Sequence, residues 1–95
     1  MTEKKFLEKL GIDKAGHYND DGDYVIEIDD SNEYGRIFSI LTSSDLLEED
    51  NSEGTNILVS DSYEQYFVPV DDENDFTLIL HADLDEDSYE LIVEL

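Results

Sequence analysis

The chain has 95 residues, 27 of them Asp or Glu against 5 Lys or Arg, for a formal net charge of −22. That length allows one domain with a modest core, and the 39% hydrophobic and 11% aromatic content supplies the apolar material for it. The absence of cysteine excludes disulfides, thiolate catalysis and the usual structural zinc sites, while the surplus of carboxylates disfavours direct binding to nucleic acid or to an anionic membrane surface.

From the N-terminus, EKKFLEKL (residues 3–10) sets Phe6, Leu7 and Leu10 at helical spacing, with Gly11 as a stop signal. The start of the chain has no secretory-type apolar run, and no segment reaches the length of a membrane span, so a soluble, cytoplasmic protein is expected. After the turn-rich HYNDDGD, DYVIEIDD alternates: Tyr24, Ile26 and Ile28 share one face, Val25, Glu27 and Asp29 the other. SNEYG reads as a turn, and RIFSILT as a strand apolar on both faces and therefore central in a sheet.

SSDLLEEDNSEG reads as a connection, in which Asp45 with Glu48 could cap a single helical turn. TNILVS and EQYFVPV read as two strands around SDSY, the second lying at an edge or ending at Pro69. After the acidic turn DDENDF, the last two strands are FTLILHA and YELIVEL, joined by DLDEDS. The expected fold is α+β: a short N-terminal helix followed by about six mostly antiparallel strands in a meander, as a single domain over residues 1–95.

In the last connection, Asp83, Asp85 and Asp87 sit two apart, with Glu94 twelfth counting from Asp83, a spacing that suggests a calcium loop. A calcium-binding EF-hand loop wants a glycine at position 6 and helices on both sides. Here position 6 is Ser88, the flanks alternate as strands, and Glu94 falls at the far end of one, roughly 20 Å away at about 3.4 Å per residue. No metal site and no cofactor are therefore expected, beyond weak cation binding by clustered carboxylates.

Nor does a catalytic constellation emerge. Carboxylate pairs arise by accident at this composition, His17 falls in a polar turn, and His81 alternates out of step with Leu78 and Leu80, so the expectation is a binding protein and not an enzyme. Phe6, Tyr24, Phe38, Tyr66, Phe67, Phe76 and Tyr89 fall mainly at packing positions. Tyr18, Tyr34 and Tyr63 fall in acidic turns, and Tyr34 and Tyr63 are candidate partner contacts, because an exposed ring beside carboxylates can receive a cation.

The charge is uneven. All five cations (Lys4, Lys5, Lys9, Lys14, Arg36) precede residue 37, and the rest of the chain has carboxylates alone. Outward pairs such as Glu27 and Asp29 lie about 6.8 Å apart along a strand, near the spacing of backbone phosphates. The turns add Asp71, Asp72 and Asp75, and then Asp83, Asp85, Glu86 and Asp87.

In size and charge the chain resembles the acidic DNA-mimic inhibitors of phages and mobile elements, of the anti-CRISPR and anti-restriction type. The resemblance rests on general character and on no motif. It implies a viral protein in the host cytoplasm that occupies the basic channel of a defence nuclease. A monomer or homodimer is expected, since an edge strand could support pairing of two copies. An immunity protein against a basic nuclease toxin would carry nearly the same electrostatics. A high-salt composition would also be acidic, although Lys4, Lys5, Lys9 and Lys14 against Arg36 alone, with abundant Ile, Asn, Tyr and Ser, depart from it.

Overall fold

The computed structural model describes residues 2–49, 57–59, 62–70, 76–83 and 86–94. In chain order the elements are α1 (Glu3–Leu10), β1 (His17–Tyr18), β2 (Tyr24–Ile28), α2 (Ser31–Ser43), β3 (Leu47–Glu49), β4 (Ile57–Val59), β5 (Ser62–Pro69), β6 (Thr77–Asp83) and β7 (Ser88–Glu94). The architecture is α+β, with two helices on one face of an antiparallel sheet.

Helix α1 begins where the Thr2 hydroxyl accepts from the Lys5 amide, and ends at Gly11, whose φ of 96° is the left-handed conformation that glycine adopts without a steric cost. Its buried face is Phe6 and Leu7.

Residues 31–43 correct the sequence reading, because SNEYG and RIFSILT form one helix instead of a turn and a strand. The Asp30 carboxylate accepts from the Glu33 amide at 2.8 Å and starts α2. Ile37 and Leu41, one turn apart, are fully buried, while Tyr34 and Phe38 pack beside them. The apolar residues that look two-faced on a strand thus make one stripe at helical period.

The connection after α2 also differs from expectation. In place of a capped helical turn at Asp45, residues 47–49 form β3, which pairs with the end of β5, Leu47 opposite Pro69. Strand β5 ends at Pro69, as its missing amide requires.

The sheet order is β1-β2-β7-β6-β5-β3, with β4 pairing β5 beside β3. Strands β5, β6 and β7 are a meander; the whole sheet is not, because β2 joins at β7. Three registered rows face the helices: Tyr24–Val93–Leu78–Phe67, Ile26–Leu91–Leu80–Gln65 and Ile28–Tyr89–Ala82–Tyr63. The first two rows, with Phe6, Leu7, Ile12, Ile37, Leu41 and Leu47, contain most of the core.

Candidate functional site

The opposite face of the sheet carries two further rows, and both described helices pack on the other side. One row is apolar, Val25–Ile92–Ile79–Tyr66. The next is Glu27–Glu90–His81–Glu64, which sets three carboxylates and an imidazole across four strands spaced about 4.8 Å apart. Nδ1 of His81 lies 3.1 Å from Oε1 of Glu90, and the Tyr66 hydroxyl donates to Glu64 at 3.3 Å. Alternation places Glu64 on one face with Tyr66 and Glu90 on one face with Ile92; only the register shows that they share a row with Glu27.

At one end of the sheet, on the helix side, the third registered row and α2 line an open pocket of about 520 Å³. Its walls are Tyr34 and Phe38 from α2, Tyr63 from β5 and Tyr89 from β7, over Ala82 and the buried Gln65. The Tyr34 and Tyr89 rings are tilted by 42° with centroids 5.1 Å apart. Burial pushes the Tyr34 phenol up, and the neighbouring Tyr63 and Tyr89 phenols add to the effect.

The same end carries the acidic turn between β6 and β7. Asp83 accepts from the Glu86 amide at 3.2 Å, and Asp87 holds a left-handed φ of 52°, which an aspartate tolerates better than most residues. Tyr89 donates its hydroxyl to Asp87 at 2.9 Å, which raises the Tyr89 phenol and couples the turn to the pocket wall.

The predicted contact residues therefore divide. Tyr34 and Tyr63 come together in the pocket although both fall outside turns, one in α2 and one in β5. Glu86 and Asp87 are exposed at the same end, and Asp83 closes β6 beside them. Glu27 is exposed on the opposite face. Asp29 is exposed but shares the Lys14 ammonium with Glu33, at 3.0 Å each, and those two carboxylates raise the lysine's pKa. Asp71, Asp72, Asp75 and Asp85 lie outside the described residues.

The cations near these groups already serve the fold. Lys14 ties Asp29, just after β2, to Glu33 of α2, and Lys4 sits over the Tyr18 and Tyr24 rings at 5.9 and 5.6 Å from their centroids. Phe38, Gln65 and Tyr89 belong to the pocket without having been marked by the sequence, which assigned Phe38 and Tyr89 to packing.

Strands on both sides of residues 83–88 replace the helices that an EF-hand requires, and Glu94 lies opposite Thr77 at the other end of β7. Among the described residues, no three His, Asp or Glu side chains converge to hold a metal ion, and no helix is long and apolar enough to cross a membrane. No protein-family model, curated protein or solved structure matches the chain.

Proposed function

We propose that this protein is an inhibitor that binds a basic nucleic-acid-binding protein, such as a CRISPR effector or a restriction enzyme, by imitating the charge of nucleic acid. The carrying observation is the Glu27–Glu90–His81–Glu64 row, which registers three carboxylates and one imidazole on one face of the sheet. No Lys or Arg exists in residues 37–95 to neutralise it. Strand spacing sets Glu27 about 4.8 Å from Glu90 and Glu90 about 9.6 Å from Glu64, with His81 between them, distances of the same order as those between phosphates along a nucleic-acid strand. In the row beside it Val25 and Ile79 are buried and only Ile92 and Tyr66 are partly exposed, so the charges are the part of this face open to a partner, and the single-sign field speeds encounter with a cationic one.

The role is binding, with no chemical step and no cofactor, in the cytoplasm where such nucleases work. The test is capture of the partner from host lysate on the immobilised protein, followed by challenge with duplex DNA at constant salt. DNA should displace the partner, and a Glu27→Gln, Glu64→Gln, Glu90→Gln triple variant should capture it poorly. A partner that holds this protein and duplex DNA together, without mutual interference, overturns mimicry and favours an immunity-type complex formed beside the active site.

A further inference from the structure

The geometry points to the Tyr34–Tyr63–Tyr89 pocket as a receptor for one arginine side chain of the basic partner. This rests on the charge-mimic reading and names the group that enters a site away from the carboxylate row.

The slot is a consequence of register. Tyr63 and Tyr89 both stand beside Ala82, one on each neighbouring strand, so two aromatic side chains flank the smallest residue of the row across two strand spacings, about 9.6 Å. A flat group above Ala82 would sit one strand spacing, about 4.8 Å, from each of the two strands that carry the tyrosines, a separation of the same order as the ~6 Å reach of cation–π contact. Helix α2 closes one side with Tyr34 and Phe38. A volume of about 520 Å³ holds a guanidinium, its alkyl stem and ordered water.

The chemistry selects the occupant. An anion is disfavoured, because no cation is among the described residues that line the pocket and the chain carries −22. Guanidinium is planar, donates five hydrogen bonds and accepts none. The pocket offers the flat π faces of its tyrosines and the Ser31 hydroxyl, with the Asp87 carboxylate attached to the Tyr89 hydroxyl. An ammonium of equal charge is a compact, strongly hydrated point that stacks poorly, so the pocket distinguishes arginine from lysine where the carboxylate row responds mainly to charge.

The probes are two blocked peptides of equal charge, hexalysine and hexalysine with one central Lys replaced by Arg, titrated into the full chain at low ionic strength by calorimetry and NMR. The arginine peptide should bind about fivefold tighter and shift the ring signals of Tyr34, Tyr63 and Tyr89. Tyr63→Leu should abolish the preference, bringing the arginine peptide to the affinity of hexalysine, and Tyr63→Phe, which keeps the π face, should retain it. If Tyr63→Leu loses the far-UV signature of the sheet, Tyr34→Leu replaces it with the same expectation. Equal binding of the two peptides, or a preference that survives loss of the ring, overturns the pocket while the cationic-partner reading stands. Failure of both peptides to bind overturns that reading and the pocket with it.

Discussion

Glu27 stands directly opposite Glu90 in the antiparallel β2–β7 pair, both on the face that the helices leave uncovered. Like charges in this arrangement oppose folding by roughly 0.2–1 kcal/mol. His81 lies beside Glu90 on the next strand, and Glu27 has no second imidazole in the row. Glu27→Gln should therefore raise stability by up to about 1 kcal/mol in urea denaturation. If the protein acts as the proposed charge mimic, the same substitution should also weaken partner capture. A loss of stability would show that Glu27 makes a favourable contact that outweighs the repulsion.

Repulsion of this kind extends over the whole chain, whose net charge is −22. Screening shortens its range from about 30 Å at 0.01 M salt to about 3 Å at 1 M. The melting temperature should climb as NaCl is added, and KCl should act alike because the effect is not ion-specific. A flat profile in both salts would mean that internal contacts already offset the repulsion.

Two glycines should respond in opposite directions to an added methyl group. A Cβ on Gly16 would meet the Val25 carbonyl oxygen at 2.4 Å and Ile26 Cγ1 at 2.9 Å, and the Gly16 amide donates to the Tyr24 hydroxyl at 2.8 Å. Gly16→Ala should cost about 1–3 kcal/mol through overpacking against a strand. A Cβ on Gly35, within α2, meets nothing within 4 Å. Gly35→Ala should stabilise by about 0.5–1 kcal/mol, visible as a shift of the urea midpoint without a change of slope.

The Tyr18 hydroxyl donates to the Glu3 carboxylate. That bond is the main reason the Glu3 pKa falls below its ordinary 4.5, and it lifts the Tyr18 phenol above its ordinary 10.0. For Glu3 the folded value is the lower, so its stabilisation is present above pH 4.5 and is lost as pH falls through the folded value. For Tyr18 the folded value is the higher, so stabilisation is present below pH 10.0 and is lost as pH rises through the folded value. Tyr18→Phe should lower the melting temperature at neutral pH. Its difference from wild type should shrink at both the acidic and the alkaline limit, and a constant difference would remove the bond from the balance.

Strand content and face assignment are legible in the sequence wherever alternation is clean, as in Tyr24–Ile28, Thr77–Asp83 and Ser88–Glu94. Helix α2 was not legible as a helix: Ile37, Phe38, Ile40 and Leu41 crowd both faces of a notional strand, and Gly35 looks like a turn signal. Asp30 with Glu33 three residues later is the capping pattern that marks the true start, and Tyr34, Ile37, Phe38 and Leu41 follow its period. Outward placement of Glu27 was legible from its own strand. Its alignment with Glu64 and Glu90, and the meeting of Tyr34 with Tyr63, depend on pairings between distant segments that local periodicity does not encode.

The position of β7 between β6 and β2 has a kinetic consequence. The β5–β6–β7 meander closes through short connections, whereas β2 must return from the opposite third of the chain to meet β7, as in the pairing of Ile28 with Tyr89. Loop-closure entropy makes that docking the slow event. It is also the event that brings Glu27 up to Glu90, so ionic strength should accelerate refolding more than it slows unfolding.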